Sequence, residues 1–355
     1  MTKKISLLLL ILLLLSGCRD ERLNKDFASV PMIGFDGKLG ALTGYFGLPG
    51  EQHNTNKFEM LSAKGISVED VTLIVDQKIN QRVDISKLTS ILFSAETAKG
   101  DFYSYLDWYY RNSRNRLNTV LIVTDGSTEP FIQYGDKMGK DVNNYYSEFI
   151  EGFKLNAILP KTNLQLACTD LLDEGIDLTL PYMKMSNEGK MPELDGTALF
   201  SGKNFSGKTL NREESIVLQL MKNKKGKYTY LTFKYDDIPV TIRVNSVQRK
   251  MKWNGTKIDI SYQMKVGIME YYKDHLLEEK ELKSLDKFLE EKLTKRMEEV
   301  LKVLHDANSD ALGIGRYARA FHPDIFEEKK WKEKYPTLTI TPKVKIKIME
   351  TGILD

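Results

Sequence analysis

The chain holds two thiols, Cys18 and Cys168, and their surroundings ask for different chemistry. Cys18 closes Leu15-Ser16-Gly17-Cys18, directly behind an almost uninterrupted apolar stretch from Leu7 to Leu15 and the basic pair Lys3-Lys4. A basic start, a short apolar segment and small residues before a nucleophilic sulfur make a secretory signal, not a fold element. The apolar stretch is about ten residues, well short of the roughly 20 that cross a bilayer permanently, so it reads as removable. Cys168 sits in Leu164-Gln-Leu-Ala-Cys-Thr-Asp-Leu-Leu172, whose apolar spacing suits a helix and makes the thiol a small buried hydrophobe.

Other reactive groups do not converge on spacing alone. His53, His275, His305 and His322 are scattered and lack the HExxH or HxxxH spacing of a metal site, and His305 reads as a surface or cap histidine near a helix carboxyl end. No G-x-S-x-G element supports a serine hydrolase. Asp236-Asp237 and Glu213-Glu214 are adjacent pairs rather than carboxylates opposed across a cleft, and the second pair suits the first turn of a helix capped by Asn211. The glycines between Gly34 and Gly50 follow neither the GxGxxG nor the GxxxxGK[ST] spacing, so they read as tight turns between short strands. Asp125-Gly-Ser-Thr128 follows an apolar strand, where α/β proteins often place ligands, but a turn accounts for it.

The Ser16-Gly17-Cys18 segment resembles the bacterial lipoprotein signal. That resemblance implies diacylation of the Cys18 thiol and cleavage before it, leaving Cys18 as the anchored first residue. Each buried acyl methylene contributes about 0.8 kcal/mol, and stable anchoring takes about two chains or more. With Cys18 acylated, Cys168 stands alone and no intramolecular disulfide forms.

The elements that position these groups follow from periodicity. Ser67 caps a helix with Val68, Val71, Ile74 and Val75 at helical spacing; Lys87–Ser94 and Val120–Thr124 read as strands. Aromatic, amphipathic 101–114 reads as a helix between them, and 143–158 and 163–172 as two more. Asp177–Met185 resembles a strand, and polar Ser186–Met191 a linker. Beyond it, 228–235, 241–247, 257–270 and 337–350 alternate with period two, one face wet, as in an antiparallel sheet packed on one side. An amphipathic helix from about Leu276 to His305 lies between the last two strands and is expected across the sheet. Gly313 and Gly315 read as a C-cap or tight turn after it.

The expected fold class is mixed α/β and α+β in several domains: a signal peptide (1–17), a lipidated tether (18–26), an N-terminal mixed α/β domain (27–115), a middle α/β domain (116–190), and a C-terminal α+β domain (191–355) whose antiparallel sheet is covered by the long helix. Of the 355 residues, 41% are apolar and 28% charged, which is ordinary for globular material. A net charge of +3 gives no reason to expect nucleic acid, and no later apolar run approaches the length of a membrane span.

In its carboxyl-terminal third the chain resembles a known family. Leu194-Asp-Gly-Thr-Ala-Leu-Phe200 with Gly207, Leu210, Glu213 and Glu214, then Asp310-Ala-Leu-Gly-Ile-Gly315, then Trp331, Pro336, Val344, Ile346, Ile348 and Gly352 resemble the Ger(x)C subunits of bacterial spore germinant receptors. Ile33-Gly-Phe-Asp36 partly matches that family's opening strand, and the lipoprotein signal fits it. The resemblance implies a non-enzymatic lipoprotein without cofactor or metal, of three mixed α/β domains in an extended arrangement. It implies attachment through Cys18 to the outer face of the spore inner membrane, beside the membrane-embedded A and B subunits of a nutrient receptor. Two other classes stand beside it. A solute-binding lipoprotein capturing a small nutrient would show two similar lobes about a hinge, yet no internal repeat is visible. A cell-envelope hydrolase has no catalytic constellation behind it.

Overall fold

The computed structural model describes residues 27–49, 58–113, 115–138, 143–188, 191–254, 256–272 and 278–351. Cys18, with the expected signal and tether, lies outside these residues, as do His53 and His275. The glycine-rich opening forms strands β1 (Phe27–Ser29), β2 (Met32–Lys38) and β3 (Ala41–Pro49). Gly37 and Gly40 at the β2–β3 turn take φ of +91° and +94°, where a side chain would be strained. After β4 (Phe58–Gly65) comes helix α1 (Val68–Asp76), whose Ser67 hydroxyl accepts from the Asp70 N–H at 3.1 Å. Next are β5 (Arg82–Asp84), β6 (Ser90–Ser94), α2 (Ala95–Ala98), α3 (Phe102–Arg111), β7 (Val120–Thr124), α4 (Glu129–Gln133), α5 (Tyr145–Leu155), α6 (Leu164–Leu171) and β8 (Thr179–Met185).

β6 and β7 are buried at every residue. They read as unbroken apolar runs because the sheet is covered on both faces, as parallel strands require. Val71, Tyr105, Leu106 and Cys168 pack with Ile91 and Phe93 on one side; Phe131, Tyr146 and Ile150 pack with Leu92 and Ile122 on the other.

The chain continues through β9 (Pro192–Ser201), β10 (Asn204–Asn211) and α7 (Arg212–Met221). With them the sheet reaches eight strands in the order β10-β9-β8-β7-β6-β2-β3-β4, parallel at β2, β6, β7 and β8 and antiparallel outside. β1 and β5 form a small separate parallel pair. The large sheet draws strands from 27–115, 116–190 and 191–355, so it runs through residues 115 and 190. On either side of the stretch expected as a linker, β8 and β9 pair antiparallel, and the Ser186 N–H donates to the Met191 carbonyl at 2.8 Å. Turns and linkers share a polar, glycine-containing composition, which hides the difference in sequence.

The second sheet holds β11 (Tyr230–Tyr235), β12 (Ile238–Asn254), β13 (Lys257–Glu270) and, after the helices α8 (Glu279–Asp306), α9 (Ile314–Phe321) and α10 (Trp331–Lys334), β14 (Thr339–Glu350). Leu285, Leu289, Leu293, Met297, Val300 and Leu304 of α8 share one core with Ile258, Ile260, Tyr262, Met264 and Val266 of β13. β12 is 17 residues long, well beyond the expected 241–247. Met251 and Trp253 prolong its inward row, but Arg249 and the alternating lysines mask that pattern.

The β11–β12 and β12–β13 ladders are antiparallel as expected, whereas β14 joins β13 in parallel. The chain returns along α8 before β14 starts, which is the geometry of a helical crossover. β14 is an edge strand, and α8 covers a stretch of that edge: the Ile346 N–H donates to Glu290 Oε1 at 3.0 Å while Lys345 reaches Oε2 at 2.9 Å.

Candidate functional site at the junction of the two sheets

The loop between α8 and α9 carries the second family-like motif and plugs into the large sheet. Asn308 takes φ +47° just after the long helix, and Gly313 takes +69° as the residue before α9. Gly313 and Gly315 therefore open the next helix rather than cap the previous one, because six residues, 307–312, intervene after Asp306. This turns Asp310 inward, where it is 1% exposed. Its Oδ1 accepts from Ile314 N–H at 2.8 Å, and its Oδ2 from Gly315 N–H at 2.7 Å and Trp331 Nε1 at 3.0 Å.

Asp310 also grips the large sheet. Its carbonyl accepts from the Asp177 N–H at 3.0 Å, and its own N–H donates to Asp177 Oδ2 at 2.5 Å. Asp177, just before β8 and equally buried, accepts from Gly202 N–H at 2.7 Å and pairs with Lys332. An outer layer repeats the link: Arg316 donates to Asp173 at 2.7 Å and Asp170 at 2.9 Å, and Arg319 to Asp173 at 3.0 Å. Gly175 and Gly315 meet without side chains, since a Cβ on Gly315 would stand 2.7 Å from the Gly175 Cα and 2.6 Å from Trp331 Nε1.

Burial pushes Asp310 up to about 7 against the pull of its three donors, and raises Asp177 although Lys332 opposes it. Burial also acts on Asp173, but the bonds from Arg319 and Arg316 outweigh it and hold that carboxyl low. Every carboxylate oxygen of Asp177 and Asp310 meets a donor, in a buried junction. The arrangement suits a clamp between sheets rather than a substrate site.

The other sequence candidates are separate from this clamp. In Asp125-Gly-Ser-Thr128, the Asp36 carboxylate accepts from the Thr128 N–H and hydroxyl, both at 2.9 Å, and from the Ser127 hydroxyl at 2.5 Å. A distant residue thus fastens the turn before α4, and Asp36 is the acid of the partial Ile33-Gly-Phe-Asp36 match. Cys168 is buried, and burial pushes its thiol up to about 12, so it is no nucleophile. His305 lies in the last turn of α8, as expected, but is half-buried against the Tyr335 ring at 5.4 Å rather than at the surface, and burial lowers its pKa although Asp306 opposes. His322 lies by Trp253 at 5.7 Å. Asn211 caps α7 in a full capping box with Glu214. Among the described residues no group of three His, Cys, Asp or Glu side chains gathers as a metal site, and no helix is long and apolar enough to cross a membrane.

One motif escaped the sequence reading: Gly202-Lys-Asn-Phe-Ser-Gly-Lys-Thr209 has the GxxxxGK[ST] spacing. A phosphate cradle needs that loop between a strand and a helix. Here the residues form the β9–β10 turn and β10 itself, with Gly207 at φ +81° beside a register shift, so the match carries no such site.

A mixed eight-stranded sheet clamped to a four-stranded sheet with a crossover helix defines a multi-sheet α+β protein. The chain matches two family models end to end: the spore germination protein N-terminal domain over residues 20–185, and the spore germination B3/GerAC-like C-terminal domain over 195–352. It is 23% identical to the spore germination protein GerQC of Bacillus cereus, covering 99% of this chain and 100% of that protein. It is 24% identical to the putative spore germination protein YfkR of Bacillus subtilis (strain 168) over 54% of each. The crystal structure of the GerBC protein shares the fold with a TM-score of 0.57 at 15% identity, over 87% of this chain and 94% of that one. The chain belongs to the Ger(x)C family of spore germinant-receptor C subunits.

Proposed function

We propose that this chain is the lipid-anchored, non-enzymatic C subunit of a spore germinant receptor. It assembles with membrane-embedded A and B subunits on the outer face of the spore inner membrane and helps trigger germination by nutrients. The observation that carries this reading is the match of both halves of the chain to germination-protein models, from residue 20 to 352. The Ser16-Gly17-Cys18 signal just before that span supports anchoring. In this reading residues 1–17 are removed, acylated Cys18 holds the body, and 18–26 is the tether. The saturated clamp supports a structural rather than catalytic role.

Cys18→Ala is expected to move the protein out of the spore membrane fraction and to slow nutrient-triggered germination. Normal membrane recovery of that variant after a wash at about 1 M salt, where the screening length is roughly 3 Å, would refute anchoring through Cys18. Recovery of the wild-type protein with two polytopic subunits tests the assembly.

One observation favours the alternative, direct capture of a small nutrient. A cavity of about 250 Å³ beside the first described residues is lined by Asp76, Arg82, Asp84, Trp108 and Asn115. Asn115 is buried and its Oδ1 has no hydrogen-bond partner. The two sheets are dissimilar, which does not favour a two-lobed hinge. Calorimetric titration of residues 19–355 with single amino acids and sugars decides: saturable binding lost in Arg82→Ala supports capture.

A further inference from the structure

The outward face of the second sheet segregates charge. The β12–β13–β14 register sets Lys250 beside Ser261 and Lys343, Lys252 beside Asp259, and Lys265 directly opposite Lys347. Lys250, Lys252, Lys257, Lys265, Lys343 and Lys347 are exposed and, among the described residues, their ammonium groups make no ion pair or hydrogen bond; a seventh lysine, Lys345, is held by Glu290. Asp259 is the acid beside them; farther along the same face Glu270 is engaged by Thr241 and Glu350 by Arg243. Like charges directly opposite on a sheet repel, so this face lowers stability unless something anionic lies against it. The solvent side of α8 is different: its lysines alternate with glutamates, and Lys283 pairs with Glu279 at 2.6 Å.

We propose that this lysine face lies against an anionic phospholipid surface. Three features fit a lipid headgroup layer. The face is a broad sheet surface rather than a groove. Its cations are lysines, which act as point charges on flexible stems and do not demand the bidentate geometry of arginine. The residue expected to be acylated is only nine positions before Phe27, so a fully extended tether reaches about 30 Å. The inference builds on the lipid-anchor reading, with acyl chains supplying attachment and the lysine face supplying orientation; clusters of four to eight lysines or arginines at a membrane are a known electrostatic footprint.

The test separates the two. The chain from residue 19 onward keeps every described element and has no acyl chain. It is expected to co-sediment with phosphatidylcholine vesicles containing phosphatidylglycerol, not with phosphatidylcholine alone, and to be released at about 1 M salt, where the screening length is roughly 3 Å. Lys265→Glu with Lys347→Glu is expected to weaken this partitioning at least tenfold, from roughly fivefold per lysine lost. Lys280→Glu with Lys302→Glu on α8 makes the same change in net charge elsewhere and is expected to have little effect. Equal binding to both vesicle types, equal binding by the Lys265/Lys347 variant, an equal loss in the α8 control, or equally tight retention on duplex DNA overturns the proposal. None of these outcomes bears on Cys18, whose test is the membrane fractionation of the full chain; failure of that test leaves the vesicle result standing.

Discussion

At the scale of single residues, the most consequential side chain is Asp310. Buried carboxylates are costly unless their oxygens find donors. Asp310 meets this demand with two backbone N–H groups and the Trp331 indole, which gives the aspartate, the two glycines and the more distant tryptophan of the family-like motifs one shared structural role in this chain. Its folded value of about 7 exceeds the unfolded value of about 4. The folded protein therefore holds a proton that the unfolded chain releases. The stability from this site is fully present below about pH 4 and is lost as pH rises through about 7. Asp310→Asn, which cannot titrate, is expected to flatten the fall of Tm between about pH 5 and pH 7, and to lower stability at pH 5 by about 1–3 kcal/mol through mismatched donors. An unchanged pH slope in that variant would count against the raised value.

At the scale of elements, Leu194-Asp-Gly-Thr-Ala-Leu-Phe200 is intelligible as a strand that needs one residue without a side chain. A Cβ on Gly196 would stand 1.8 Å from the Leu210 carbonyl oxygen of β10, which runs alongside. Gly196→Ala therefore has to push β9 and β10 apart. The expected cost is about 3 kcal/mol or more, larger than ordinary overpacking, read as a drop in urea midpoint. Serine at the neighbouring exposed Lys208 is expected to change stability by less than about 0.5 kcal/mol, which separates the backbone collision from a general weakness of the hairpin. The α8 stripe was legible because six inward positions, Leu285, Leu289, Leu293, Met297, Val300 and Leu304, recur at three- and four-residue steps. The parallel entry of β14 was not, since alternation reports which face a residue occupies but not strand direction.

At the scale of the whole molecule, the two sheets are held by a small set of interlocked contacts, among them Asp177 with Asp310, Arg316 with Asp170 and Asp173, and Gly175 against Gly315. α7 adds apolar contact, with Val217 and Leu218 in the same core as Leu199 of β9 and Leu293 of α8. Gly315→Ala puts a methyl between Trp331 and Gly175 and is expected to cost about 1–3 kcal/mol. Because the damage falls on the clamp, the large and small sheets are expected to unfold at different urea concentrations, followed by near-ultraviolet circular dichroism and far-ultraviolet signal in parallel. A single coincident transition for this variant would place the coupling in α7 instead.

Local chemistry could be read along the chain: the thiol after Ser-Gly, the Ser67 and Asn211 caps, the buried runs of β6 and β7, and the α8 stripe all act through neighbours a few residues away. The same holds for the carboxyl-terminal family motifs, whose residues are close in sequence. What only tertiary structure decided was pairing over distance. Asp36 meets Thr128, Asp177 meets Asp310, the lysines of β12, β13 and β14 gather on one face, and one sheet passes through the stretches that composition divides. The physical reason is that periodicity and capping are set by local backbone geometry, whereas a carboxylate's partner and a strand's direction depend on which distant segments the closed core brings together.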